Sequence, residues 1–92
     1  MLPSLQSLSD NSLLDFVKNL KQVENQTLAE LVLYLSEVDT RKLYRDIGFS
    51  SLFAYSTKEL GYSEGAAYRR IQAARSLKDN PEIYELLKTG SY

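Results

Sequence analysis

The sequence predicts an all-α protein of about five helices, with a helix-turn-helix-like unit at roughly residues 50–78. Three observations support this fold class. Apolar residues recur at steps of three and four, which is the spacing of one helix face. Glycines follow the apolar-patterned segments at the positions where helices commonly end. No segment shows the alternation of apolar and polar residues that is typical of a half-buried strand.

The N-terminal residues 1–8 contain a proline and scattered polar side chains, and this composition predicts a loose arm. For a chain of 92 residues we expect one domain, here the helical residues 9–92. Ser9, Asp10 and Ser12 are candidate N-caps for the first helix, because their side-chain oxygens can accept hydrogen bonds from free backbone N–H groups.

Residues 9–38 are rich in leucine and show helical spacing. Thr27 and Glu30 have the spacing of a capping box, which favours a second helix starting there over one long helix. The stripe is either the core of the domain or a seam between two chains. Because small helical chains often gain core by pairing, we favour a homodimer. The candidate dimerisation residues are Leu13, Val17, Leu20, Leu28, Leu31, Leu35 and Val38.

The next two segments are separated by glycine. Residues 39–47 predict one or two polar helical turns that Gly48 stops. A further helix is expected over residues 50–60, with Ser50 as its N-cap. Gly61 follows it in the position of a left-handed C-terminal residue.

Residues 63–78 predict a helix that Ser63 caps. Asn80 and Pro81 then predict a restart, with asparagine as the cap and proline at the first helical position. The last helix is expected over residues 80–89, before the final glycine.

The composition excludes several classes of function. The chain has no histidine and no cysteine, so zinc fingers, His-based metal sites and His-dependent nucleophilic triads lack their residues. We therefore expect no catalytic residue, no cofactor and no metal site, and we expect that this chain is not itself an enzyme.

Charge is distributed unevenly. Residues 1–40 carry two basic and six acidic residues, a net charge of −4, whereas residues 41–92 carry nine basic and six acidic residues, a net charge of +3. Such asymmetry favours one surface for protein contacts and another for an anion. The start of the chain lacks a secretory signal, and no apolar run approaches a membrane span. The expected location is cytoplasmic, and nucleoid-associated if the chain binds DNA.

The turn Gly61-Tyr62-Ser63 between two predicted helices resembles a helix-turn-helix unit. In such a unit the start of the second helix enters the major groove, where arginine can pair with guanine and glutamine with adenine. The expected partner is double-stranded DNA. The candidates for contact with the bases are Ser63, Tyr68, Arg69 and Gln72, and those for contact with phosphates are Arg70, Arg75, Lys78 and Lys58.

A second interpretation is a helical module for protein–protein interaction or oligomerisation, with no role in nucleic-acid binding. Helical hairpins with solvated basic faces are common in proteins that never contact DNA. The two interpretations differ in whether the arginines form a patch free of carboxylates. The acidic residues expected to neutralise such a patch are Glu64, Glu82 and Glu85.

Residues 43–77, LYRDIGFSSLFAYSTKELGYSEGAAYRRIQAARSL, resemble the helical N-terminal region of a group of bacterial HNH-type endonucleases. The resemblance extends over roughly residues 13–90. It implies an all-helical accessory module, and target-DNA binding and dimerisation are the roles expected for it. The matching motif positions are Tyr68, Arg69, Arg70 and Arg75.

The nuclease itself does not carry over from this resemblance. An HNH site needs a histidine base and further metal ligands, and the chain has no histidine. The resemblance therefore implies the accessory module alone, either as a separate small protein or as the N-terminal targeting region of a longer protein with a C-terminal nuclease domain.

Overall fold

The computed structural model describes residues 2–92, and its regular structure is entirely helical. This confirms the predicted fold class. Five α-helices and one π-helical segment follow in the order α1 Asp10–Arg41, α2 Leu43–Asp46, α3 Leu52–Ala54, the π segment Tyr55–Glu59, α4 Glu64–Asp79 and α5 Glu82–Thr89. No helix in this part of the chain is long and apolar enough to cross a membrane.

The first helix, α1, is one continuous helix of 32 residues. Ser9 caps it, because its hydroxyl accepts a hydrogen bond from the backbone N–H of Ser12 at 3.2 Å. The expected break at Thr27 is therefore wrong. No glycine or proline interrupts the segment, and its polar residues are compatible with a helix interior. The polar stretch has a tertiary partner instead, since Asn25 lies against Gly90 at the end of α5.

The end of α1 lies at Lys42 and not near Val38. Lys42 adopts a left-handed conformation with φ of 54°, and its N–H donates to the carbonyls of Val38 and Asp39. This conformation closes the helix, and the short α2 begins at the next residue.

The helix expected over residues 50–60 is shorter and partly π-helical. Its cap is Ser51 and not Ser50, because the Ser51 hydroxyl accepts from the N–H of Ala54 at 2.9 Å. The backbone then widens, and the N–H of Leu60 donates to the carbonyl of Tyr55, five residues earlier. Gly61 follows with φ of 79°, the left-handed conformation that the glycine predicted.

The last two helices begin differently. Ser63 caps α4 as predicted and accepts from the N–H of Ala66 at 3.2 Å. Asn80 does not cap α5 with its side chain. Its amide donates back to the carbonyl of Ser76 at 3.3 Å, and only its backbone carbonyl accepts from the N–H of Ile83.

The core forms where α4 and α5 pack along the second half of α1. The side chains in its centre are nearly solvent-free, and they include three alanines that allow the helices to approach closely. The core residues are Ala29, Val32, Leu35, Tyr44, Leu52, Ile71, Ala73, Ala74, Leu77, Ile83 and Leu87.

The predicted dimerisation stripe is divided by this packing. Leu35 belongs to the core of the single chain. Leu28, Leu31 and Val38 are half-buried against that core. The residues Leu13, Val17 and Leu20 lie exposed on the first half of α1.

Candidate nucleic-acid interface

The exposed face of α4 carries three of the side chains expected to contact DNA bases. Tyr68 is 60% exposed, and Arg69 and Gln72 are also exposed. Their spacing of one, three and four residues places them on neighbouring parts of one helix surface. The structure therefore presents an aromatic ring, a guanidinium group and an amide together to solvent.

Arg69 is the cation in this group with no acidic partner. Within residues 2–92 no carboxylate lies within ion-pair distance of its guanidinium. Glu64 and Glu82, two of the expected neutralising acids, also form no ion pair there, and Glu85 lies 3.8 Å from Lys88 instead. Arg69 thus keeps its hydrogen-bond donors for an external acceptor.

A groove of about 540 Å³ adjoins this face, between α1, α4 and α5. Tyr68, Arg69 and Gln72 form part of its wall. The aliphatic part of the lining consists of Leu28, Val32, Ala73 and Leu87. A concave, largely apolar surface therefore lies beside the face of α4 that carries Arg69.

Arg70 has a different environment from Arg69. It is half-buried, and its guanidinium lies 4.7 Å from the centre of the Tyr62 ring in a cation–π contact. Its Nη1 donates to the carbonyl of Ala66 at 3.4 Å, and its Nε is buried without a hydrogen-bond partner. Arg70 therefore ties α4 to the turn that precedes it.

Arg75 and Lys78, two of the expected phosphate contacts, share one carboxylate. Nε of Arg75 lies 3.4 Å and Nζ of Lys78 lies 3.2 Å from Oδ2 of Asp39 on α1. Asp39 is the acid that sequence reasoning missed, because 36 and 39 positions separate it from these partners. The pairing leaves the C-terminal half of α4 less cationic than its sequence suggests.

The remaining two candidates lie near the turn. Ser63 uses its hydroxyl as the N-cap of α4. Lys58 is exposed in the π segment. The structure thus gathers Tyr68, Arg69 and Gln72 on one surface and places Lys58 on the helical segment before the turn.

The ion pairs lower the pKa of the Asp39 carboxyl. Partial burial raises the pKa of its carboxyl, but the hydrogen bonds and charges of Arg75 and Lys78 outweigh this effect. The pKa therefore lies below its ordinary value of 3.8. A carboxyl whose pKa is lowered by folding stabilises the fold above its unfolded pKa and loses this contribution as the pH falls through the folded value.

We expect Asp39→Asn to lower the free energy of unfolding by about 0.5–1 kcal/mol at pH 7, a modest loss because both cations are partly exposed and screened by solvent. The difference in free energy of unfolding between the variant and the parent chain should disappear as the pH falls below 3.8. Urea unfolding followed by circular dichroism over this pH range measures both. Asp15→Asn, at an exposed site on the same helix, is the control and should show no gap. A gap of constant size at all pH values would contradict the role of the ionised Asp39.

The residues that the structure describes contain no group of three or more Asp or Glu side chains arranged to hold a metal ion. The chain matches no protein-family model, no curated protein and no solved structure.

Proposed function

We propose that the chain is a non-catalytic DNA-binding module of helix-turn-helix type, in which the N-terminal half of α4 faces double-stranded DNA. The observation that carries the proposal is the exposed Arg69, free of carboxylate partners in the described chain and flanked by Tyr68 and Gln72. Arginine and glutamine are the side chains that can pair with guanine and adenine in the major groove.

The local backbone supports this proposal. The segment of residues 52–59 packs against α4, and the left-handed Gly61 lies in the turn between them. The Ser63 cap starts α4 immediately after this turn. This is the order of parts that a helix-turn-helix unit requires.

The resemblance of residues 43–77 extends the proposal. A module of this kind would deliver an HNH nuclease to DNA in a longer parent protein, and it would work in the cytoplasm, at the nucleoid. The catalytic residues would then come from another part of that protein, because this chain has no histidine.

A second candidate function is a protein–protein interaction module. It is favoured by the exposed apolar side chains on the first half of α1, which include Leu14, Val17 and Leu20. Contiguous apolar surface of this kind marks interaction sites. This function makes no use of Arg69, so a DNA-binding measurement separates the two candidates.

We expect Arg69→Ala to weaken binding to a duplex by about tenfold, within the range of about 1–3 kcal/mol for loss of one arginine contact. The measurement is fluorescence anisotropy of a labelled duplex of about 20 base pairs, or two helical turns. It is made at low and at near-physiological salt. Binding should weaken steeply as salt rises, because phosphate contacts release counterions.

Lys88→Ala is the matched control, because it removes one positive charge from α5, where the lysine already pairs with Glu85. It should leave the affinity nearly unchanged. Equal losses in the two variants would indicate binding through bulk charge alone. No binding at low salt by the folded chain would reject the proposal in favour of the interaction module.

A further inference from the structure

The first half of α1 projects beyond the core as an arm, residues 10–24, of about 22 Å at 1.5 Å per residue. Neither the core nor the half-buried residues packed against it include any residue of this arm. Five of its apolar side chains follow the spacing i, i+3, i+4, i+7 and i+10, which defines one helix face. This apolar stripe consists of Leu13, Phe16, Val17, Leu20 and Val23.

Each side chain of the apolar stripe is between 39% and 67% exposed. The stripe contains no charged residue, and Lys21 and Glu24 at its C-terminal end neutralise each other in an ion pair of 2.7 Å. Burial of this face would leave no unpaired charge inside an interface. The face is therefore suited to contact with an apolar surface of a partner.

The chain is elongated and exposes more surface than a compact monomer of its mass. Its accessible surface is 6912 Å², whereas a compact monomer of 10.5 kDa exposes about 5,400 Å². Its radius of gyration is 16.6 Å, against about 12 Å for a compact domain of 92 residues. The excess surface of about 1,500 Å² exceeds the roughly 800 Å² that each partner buries in a standard interface.

We infer that the apolar stripe binds the same stripe of a second copy of this chain, with the two arms antiparallel. An uncharged apolar helix face is self-complementary, which is the requirement for a two-fold interface. The inference does not depend on the proposed binding of DNA.

The antiparallel arrangement follows from shape and charge. The helical bundle formed by α4, α5 and the second half of α1 is much wider than the arm, and antiparallel arms place the two bundles at opposite ends. A parallel pair would bring both bundles to one end. Opposed helix dipoles add to the preference for antiparallel arms.

The stripe also fixes the register. Leu13 and Val23 bound the stripe, so its midpoint is Lys18, and antiparallel pairing about this position sets Phe16 opposite Leu20 of the partner subunit. Leu13 then lies opposite Val23 of the partner subunit. The contacts between the two stripes are then apolar.

We expect the purified chain to have the mass of a dimer in sedimentation equilibrium at micromolar concentrations. Leu20→Asp should weaken self-association by about 30-fold or more, as for a central interface residue, because it would bury an unpaired charge. Asn11→Asp is the matched control, since it places the same residue at an exposed position on the opposite face of the arm and should leave the dimer intact. Circular dichroism of both variants separates dissociation from unfolding.

Pulsed electron paramagnetic resonance tests the orientation, because the chain has no cysteine and a single introduced one can be labelled specifically. Spin labels on Glu30→Cys should lie about 35 Å apart along the axis of an antiparallel pair in this register. A parallel pair would bring them much closer. A monomeric mass at all concentrations, a dimer that Leu20→Asp leaves intact, or a short label distance would each overturn the inference.

Discussion

Replacing Leu52 by alanine is expected to lower the free energy of unfolding by about 2–5 kcal/mol, the range for truncating a buried leucine. Leu52 is 0% exposed and opens α3, where it belongs to the core shared with α1, α4 and α5. Since small domains are stable by only about 5–15 kcal/mol, this change removes a large part of the total. It also loosens the segment that supports α4.

Urea denaturation followed by circular dichroism measures this effect. Phe53→Ala is the control, because Phe53 is the next residue but is partly exposed, so its truncation removes less buried surface. We expect less than half of the loss found for Leu52→Ala. Similar losses at both sites would show that the core does not depend on the orientation of α3.

Two glycine-to-alanine changes around the turn are expected to act in opposite directions. Gly61→Ala should lower the free energy of unfolding by about 1–2 kcal/mol, because φ of 79° is unfavourable for a residue with a Cβ. A Cβ at this position would meet no atom within 4 Å, so the loss reports on the backbone alone. Gly65→Ala, in the first turn of α4, should raise it by about 0.5–1 kcal/mol.

The added Cβ at residue 65 would lie 3.4 Å from Nη1 of Arg69, the far end of a flexible side chain that can adjust. Thermal unfolding of the two variants beside the parent chain gives the comparison. A stabilised Gly61→Ala variant would show that the turn does not hold Gly61 in the left-handed conformation, and a destabilised Gly65→Ala variant would show that Arg69 does not make room for the added Cβ. This turn fixes the direction of α4. A test of DNA binding by the Gly61→Ala variant therefore requires a temperature at which the variant is folded.

The exposed face of α4 illustrates which features of a candidate site can be predicted from local sequence. Tyr68, Arg69 and Gln72 could be placed on one exposed surface because three- and four-residue spacings define a helix face. The state of Arg75 and Lys78 could not be predicted in this way. Their partner Asp39 lies on another helix, and only the packing of α4 along α1 brings the charges together.

The continuity of α1 likewise could not be predicted from local sequence. The spacing of Thr27 and Glu30 is compatible with a helix start, and local sequence contains no signal that excludes it. In the folded chain the surrounding residues continue the helix, and Asn25 meets the end of α5. A local capping signal was therefore overridden by helix continuity and a tertiary contact.

The sequence by itself determined the all-helical class, the cap at Ser63 and the left-handed turn at Gly61, because each follows from spacing or from the conformational preference of one residue. The tertiary structure alone decided how the leucine-rich stripe is used. Its C-terminal part is buried because α4 and α5 pack there, whereas its N-terminal part extends beyond them and stays exposed. Periodicity shows which side of a helix is apolar, but burial depends on which other element reaches that side.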